Sequence, residues 1–181
     1  MLFEMMAGAA LAAAAMQDDT AFSTFDNGIP GWTVVRRTDG CFTFSDASST
    51  IVTVFYRTSK DGDPLLLLFS DPAWMVREEN VAGYRVQFVG ASGDWVDLSG
   101  STFPDEGEPG EEKRGVVTMP FSADAIGPML TDFAEASSLN FYRDGRLLAR
   151  VPLDNSARAM RRLLDCARAA GGQNVPSLPT R

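Results

Sequence analysis

The densest group of side chains with chemical potential is a run of carboxylates in the second half of the chain. Between Pro104 and Glu112, five acidic residues occur within nine positions. Hard cations such as Ca²⁺ bind several oxygen ligands on a loop, so the run is a candidate calcium site. Its spacing matches no ordered calcium-binding loop, and its prolines and glycines are typical of a solvated surface loop. We therefore expect a surface loop here, and a turn at Asp61-Gly62-Asp63.

Acid–base and nucleophilic chemistry is limited by the absence of histidine. Ser-His-Asp and Cys-His catalytic sets and imidazole metal ligands are excluded. A Ser-Lys pair could use only Lys60 or Lys113, both in acidic, loop-like surroundings where a lysine stays protonated. Two carboxylates could act as acid and nucleophile, but no pattern selects a pair among 24 acidic residues. The sequence predicts no enzyme, no catalytic residue, no metal site and no cofactor.

The two cysteines, Cys41 and Cys166, have two interpretations. They are too few for a four-thiolate zinc or iron–sulfur site. In an exported protein they are expected to form a structural disulfide, whose long loop would stabilise the fold by on the order of 4 kcal/mol in the chain-entropy treatment. In a cytoplasmic protein the default is a pair of reduced thiols that pack as small apolar residues.

The beginning of the chain bears on the choice between those compartments. The unbroken run of apolar and small residues from Met5 to Met16 has the length of a signal-peptide core and is too short to span a bilayer. Ala13 and Ala15 fit the positions before a signal-peptidase cleavage site. Residues 1–15 are therefore predicted to be a signal peptide, and the protein to be periplasmic or secreted without an integral membrane span. The alternative is an Ala-rich helix of a cytoplasmic protein.

The charge of the chain argues against one class of partner. A formal net charge of −8 opposes the counterion release on which nucleic-acid binding depends, so we expect a protein partner and no nucleic acid. The candidates for an interaction patch are of residue types that are favoured at interfaces: Trp32, Trp74, Arg158, Arg161 and Arg162. The competing explanations are packing of the tryptophans, including Trp95, in the core and solvation of an arginine-rich helix face.

The elements that would position these residues are mainly strands. From Trp32 to Pro120, short runs rich in Val, Thr, Phe, Tyr and Trp are separated by clusters of Gly, Asp, Asn, Ser and Pro. Asp39-Gly40 and Asp144-Gly145 predict tight hairpin turns with positive backbone dihedrals. Apolar residues recur at helical spacing from Ile126, and a last helix is predicted to begin at a cap formed by Asn155 or Ser156.

These patterns together define the predicted architecture. Strand runs followed by segregated helices indicate a mainly β (α+β) fold. We predict an antiparallel β-sandwich of about eight or nine strands with two late helices, the last one C-terminal. One domain is expected over residues 22–170, followed by a flexible tail over residues 171–181, which is rich in Gly, Pro and polar residues.

Scattered positions in both halves of the chain resemble one known family. They are Gly31-Trp32, Val34, Cys41-Phe42, Asp144-Gly145, Leu147, Leu153, Ser156, Ala159, Leu163 or Leu164, and Cys166. In these positions the chain resembles secreted alphaproteobacterial proteins of the invasion-associated locus B family, from whose pattern it departs by having Arg36 or Arg37 in place of a first-strand cysteine. The resemblance implies an exported β-sandwich with a cysteine-stapled terminal helix and no known chemistry.

The function predicted from the sequence is therefore that of an exported, non-catalytic protein. It would act through protein contacts or through association with the cell envelope. The alternative is a small-ligand-binding domain or a carboxylate-dependent hydrolase, with a cleft in which two carboxylates converge.

Overall fold

The computed structural model of the protein describes residues 22–45, 48–59, 64–71, 73–74, 79–91, 95–104 and 115–178. Within these residues the chain forms strands first and helices late, as the sequence predicts. The strands are β1 Ser23–Ile29, β2 Trp32–Arg36, β3 Gly40–Ser45, β4 Ile51–Arg57, β5 Leu65–Asp71, β6 Glu79–Val89, β7 Trp95–Pro104, β8 Gly115–Phe121, β9 Ser138–Arg143 and β10 Arg146–Pro152. The helices are α1 Ile126–Glu135 and α2 Ser156–Ala169.

The strands form one hydrogen-bonded succession in which every neighbouring pair is antiparallel. Their spatial order is β1-β2-β3-β4-β5-β8-β7-β6-β9-β10. The mainly β fold with two late helices is thus confirmed. The structure adds β1, which precedes the first predicted strand and carries two register irregularities against β2.

The sheet folds over so that its two halves face each other in a sandwich-like arrangement. The phenyl rings of Phe69 on β5 and Phe141 on β9 are stacked, with centroids 4.2 Å apart. Three strands lie between β5 and β9 in the sheet order. In a flat sheet the two strands would be about 19 Å apart, because neighbouring strands are separated by roughly 4.8 Å. The contact therefore requires the sheet to turn back on itself around a shared core.

The two predicted hairpin turns differ in the reason for their glycine. Asp144 and Gly145 both have positive φ, at 49° and 75°, as predicted for a two-residue hairpin. Gly40 does not have positive φ, so the prediction of positive backbone dihedrals at Asp39-Gly40 was wrong. A Cβ on Gly40 would instead overlap the carbonyl oxygen of Tyr56 on the neighbouring strand. A close backbone approach therefore favours glycine at this position.

Both helices cover the inner face of the sheet. Ile126, Met129, Leu130 and Phe133 are the buried residues of α1, and they belong to the same core cluster as the buried side of α2. Asn155, which is one of the two predicted caps, occupies the N-cap position before α2. Its side chain makes no capping hydrogen bond. The inner face of the sheet is therefore the apolar surface against which both helices pack.

The residues after α2 return to the folded domain. Val175 and Leu178 pack as partly buried side chains against the core cluster. The guanidinium of Arg168 donates a hydrogen bond of 2.7 Å to the carbonyl of Pro176. The tail that the sequence predicted to be flexible thus packs against the domain over its described part, residues 171–178.

Candidate interaction surface

A buried disulfide fixes α2 to the sheet. Cys41 on β3 and Cys166 on α2 are bonded, with Cα atoms 6.0 Å apart, and they are separated by 125 positions in the sequence. Both cysteines are 0% exposed. The predicted pairing is confirmed, and both sulfur atoms are used in a bond within the fold.

The sequence of α2 divides its circumference between core and solvent. Its buried residues recur at helical spacing and are Ser156, Ala159, Met160, Leu163, Leu164, Cys166 and Ala167. The remaining positions include four arginines and one aspartate, a formal charge of +3 on a chain whose net charge is −8. The outer side of α2 is therefore a positively charged strip on an acidic protein.

One arginine of this strip is held against the first strand. The Nε atom of Arg162 lies 2.7 Å from an oxygen of Asp26 on β1. The guanidinium also lies over the ring of Phe25, 5.0 Å from its centroid. The main-chain N–H of Gly28 and the side chain of Arg162 hold the pKa of the Asp26 carboxyl below its ordinary value. This pair links α2 to β1. The guanidinium of Arg162 is therefore already engaged within the fold.

Two other arginines are left available to a partner. Arg158 and Arg161 are exposed, and they lie three positions apart on α2, where helical side chains are neighbours. Neither forms an ion pair within the described part of the chain. Arg168 differs, because it contacts Asp165 and the tail. We call Arg158 and Arg161 the arginine pair.

The structure does not bring all five predicted patch residues to one surface. Trp32 is 2% exposed, and its indole N–H donates a hydrogen bond to the carbonyl of Asp154. It is a core residue, so its assignment to an interaction patch was wrong. Trp74 is half-buried against Phe141, with ring centroids 5.4 Å apart. Trp95 begins β7, and its side chain lies outside the described residues.

Most of the candidates for catalysis and metal binding lie outside the described residues. Within these residues there is no group of three or more acidic or cysteine side chains that could hold a metal ion. The buried carboxylate of Asp71 accepts hydrogen bonds from Thr50 and from the main chain of Ala73, which is the arrangement of a turn. The acidic run between Pro104 and Glu112, Asp61-Gly62-Asp63, Lys60 and Lys113 lie outside the described residues, apart from Pro104.

Sequence reasoning missed Asp26 as a partner of the arginine-rich helix. The only local signal is Asp26-Asn27-Gly28, a turn-like sequence that interrupts the alternation expected of a strand. In the structure the side chain of Asp26 accepts a hydrogen bond from the main chain of Gly28. The same carboxylate also accepts a hydrogen bond from Arg162 on α2.

Fold and surface together define a disulfide-bonded antiparallel β-sandwich with a basic helix on an acidic body. Comparison of the chain with protein-family models, with curated proteins and with solved structures found no match. Among the helices in the described ranges, none has the length and apolar character needed to cross a membrane.

Proposed function

We propose that this chain is an exported, non-catalytic binding protein that works in an oxidising compartment outside the cytoplasm. The observation that carries the proposal is the buried Cys41–Cys166 bond between β3 and α2. Disulfides of this kind persist in periplasmic and secreted proteins, whereas cytoplasmic thiols are kept reduced. The apolar run from Met5 to Met16 supports the same compartment, because it has the composition of a signal-peptide core.

The arginine pair is the surface through which we propose that the protein contacts its partner. Arg158 and Arg161 are exposed and stand on a helix that is anchored by a disulfide on its inner side. A rigid element presents its side chains with little loss of conformational freedom on binding. Arginine is also enriched among the residues that dominate binding energy at interfaces. The partner would therefore carry carboxylates at matching positions and be a protein with an acidic surface.

The compartment is tested in the native host by fractionation and thiol trapping. Cells are lysed in the presence of an alkylating reagent, and each fraction is probed for the chain before and after reduction. The proposal predicts that the chain is recovered from the periplasm or the medium and takes up alkylating reagent only after reduction. Recovery of a cytoplasmic chain with both thiols already alkylated would overturn it.

The contact surface is tested by reversing its charge. Arg158→Glu with Arg161→Glu should weaken binding to the partner at least tenfold while leaving the stability within about 1 kcal/mol of wild type, because both side chains are exposed. The matched control is Arg36→Glu with Arg146→Glu, which changes the net charge equally at two other exposed arginines. Binding would be measured by titration with the acidic partner recovered from the same compartment. Equal losses in both variants would show that overall charge is responsible and that the arginine pair is not the contact.

A further inference from the structure

The two edges of the sheet differ in what lies beside them. At one edge, β1 has two register irregularities against β2, and Arg162 of α2 binds Asp26 in the middle of the strand. At the other edge, β10 pairs with β9 alone. Within the described ranges, no main-chain hydrogen bond joins β10 to a further segment. The N–H and C=O groups of an open edge can pair with a strand of another molecule.

The register of β10 shows which of its main-chain groups are open. The N–H of Leu153 donates to the carbonyl of Ser137, and the same pairing continues without a shift back to Ala149. In an antiparallel pair, the direction of the main-chain groups alternates from one residue to the next. The N–H groups of Ala149 and Val151 therefore point to β9. The N–H and C=O of Arg150 point away from the sheet.

Two exposed side chains lie on the outer face of this open edge. Leu147 and Arg150 are the cross-strand partners of Tyr142 and Asn140, which are two positions apart on β9 and so share a face. Arg150 is exposed, and Leu147, at 47%, is one of the two exposed large apolar side chains among the described residues. β10 thus presents an apolar and a cationic side chain on one face of an edge that can still pair.

A row of hydrogen bonds sets the chemistry of Arg150. Its Nε donates to Oδ1 of Asn140 at 2.9 Å, and Nδ2 of Asn140 donates to Oε1 of Gln87 on β6 at 3.3 Å. Because a guanidinium can only donate, both amide oxygens of the row are turned toward a donor inside it. The Nη atoms of Arg150 and Nε2 of Gln87 form no hydrogen bond in the described part of the chain. The row therefore offers N–H donors, to which a carboxylate is the complementary group.

We propose that β10 binds an extended, acidic segment of a partner protein, which joins the sheet as a further strand. The main chain of the segment would pair with the N–H and C=O of Arg150, and one of its carboxylates would accept hydrogen bonds from the Nη atoms. An apolar side chain of the segment would lie against Leu147. In strand addition of this kind, main-chain hydrogen bonds supply affinity and alternate side chains supply specificity. The edge is separate from the arginine pair, so it is a second contact surface of the protein.

A second copy of the chain fits this edge less well than an acidic segment. Pairing of two β10 strands would bring two Arg150 side chains to one junction, and like charges on neighbouring strands destabilise a sheet. A segment with carboxylates supplies the opposite charge at the same place. The partner strand is therefore assigned to another, acidic protein.

Synthetic peptides test the chemistry of the segment. The probe is a capped, fluorescein-labelled peptide of about nine alternating valine and glutamate residues. Its binding to the full chain, with the disulfide intact, is followed by fluorescence anisotropy. One control peptide has lysine in place of glutamate, and the other keeps glutamate but is N-methylated at its central residues, which removes the donors for strand pairing. The acidic peptide should bind at least tenfold more tightly than either control.

Two results of the peptide titrations would overturn the proposal. Equal affinity for the acidic and the N-methylated peptide would show attraction by charge without strand pairing. The absence of detectable binding by the acidic peptide would show that the edge takes up no acidic strand.

Amide hydrogen exchange of the wild-type protein, measured by NMR, locates the bound peptide. The N–H of Arg150 should exchange at least tenfold more slowly in the presence of saturating acidic peptide. The N–H of Val151 should be unchanged, because it is already directed to β9. Protection confined to β1 would overturn the proposal. A dimeric free chain in which Arg150 is already protected would assign the edge to a second copy and would also overturn it.

Two substitutions at one position separate the main chain from the side chain. Arg150→Ala and Arg150→Pro both remove the guanidinium, but only proline also removes the N–H that points away from the sheet, where edge strands tolerate proline. The alanine variant should bind the acidic peptide several-fold more weakly than wild type, and the proline variant at least tenfold more weakly again. Arg36→Ala, at an exposed arginine on β2, is the charge-matched control and should bind as wild type does.

Equal affinities of the alanine and proline variants, both folded by circular dichroism, would contradict strand addition. If the proline variant does not fold, the exchange of Arg150 in the wild-type protein decides the question. All these measurements use purified protein and synthetic peptides. Failure of the export proposal or of the arginine pair therefore leaves their outcome unaffected, and the failures are distinguishable.

Discussion

The indole N–H of Trp32 donates a hydrogen bond of 2.8 Å to the main-chain carbonyl of Asp154, which lies 122 positions later in the chain. Beside it, the amide of Asn155 donates to the carbonyl of Pro30. These two contacts join the turn between β1 and β2 to the segment that leads from β10 into α2. The beginning and the end of the strand order are thereby held together at the start of the helix that carries the arginine pair.

Replacing Trp32 by phenylalanine should destabilise the protein by about 1–3 kcal/mol, because a side chain that is 2% exposed is shortened and its hydrogen bond to the Asp154 carbonyl is lost. The measurement is urea unfolding followed by far-ultraviolet circular dichroism. Trp74→Phe is the matched control, since Trp74 is only half-buried and donates no hydrogen bond from its side chain within the described residues. A larger loss from the Trp74 variant would contradict the role given to the Trp32 contact.

Truncation of Phe141 tests the closure of the sheet. Its ring is stacked between those of Phe69 and Tyr84, at centroid distances of 4.2 and 5.2 Å. Phe141→Ala should lower the free energy of unfolding by about 3–5 kcal/mol, because it removes a fully buried ring and leaves a cavity. Leu147→Ala, at a side chain 47% exposed, should change the same quantity by about 0.5 kcal/mol or less. Similar losses at both positions would show that the two halves of the sheet do not share this core.

Reduction of the disulfide should lower the unfolding midpoint of the wild-type protein in urea. The bond closes a loop between residues 125 positions apart, and the chain-entropy treatment gives a loss of about 4–5 kcal/mol when it is opened. A variant with Cys41→Ala and Cys166→Ala should start from a lower midpoint and show no response to the reductant. If the reductant shifted both proteins equally, the effect would come from the reagent.

The pair formed by Asp26 and Arg162 predicts a specific dependence of stability on pH. The pKa of Asp26 is lowered in the folded protein by the Gly28 N–H and by Arg162, so the ionised carboxylate favours the folded state. That contribution is complete above the unfolded pKa, near 3.8, and is lost as the pH falls through the lower folded value. Asp26→Asn should therefore be less stable than wild type at pH 7, and the difference should disappear in strong acid.

The comparison for this pH series is Asp154→Asn, whose exposed side chain forms no ion pair in the described part of the chain. Thermal unfolding of the three proteins between pH 2 and pH 7 would be followed at equal ionic strength. A difference between wild type and Asp26→Asn that grew on acidification would contradict the assigned direction of the pKa shift.

Local sequence signals were sufficient for most of the architecture. Asp144-Gly145 supplies the positive dihedrals of a hairpin, and the spacing of Met160, Leu163 and Ala167 marks the buried side of α2. These features depend on neighbours a few positions apart, which a sequence displays directly. The disulfide was also within reach, because two cysteines allow only one pairing.

Contacts between distant segments could not be predicted in the same way. β1 was not predicted because Asp26, Asn27 and Gly28 break its alternation, and its pairing with α2 depends on Arg162 far along the chain. Trp32 was placed in a surface patch because residue type alone does not distinguish an interface tryptophan from one that is buried with its N–H satisfied. The second apolar cluster, formed by Phe42, Phe44, Phe55, Leu66, Leu68 and Val116, was also not predicted, since it exists only once the strands are in register.

We propose that the protein acts outside the cytoplasm as a disulfide-bonded binding domain. The most direct test is the intact mass of the protein recovered from its native host, measured after alkylation with and without prior reduction. We expect a chain that lacks residues 1–15 and gains two alkyl groups only after reduction. A chain that retains residues 1–15 and carries two alkyl groups before reduction would contradict it.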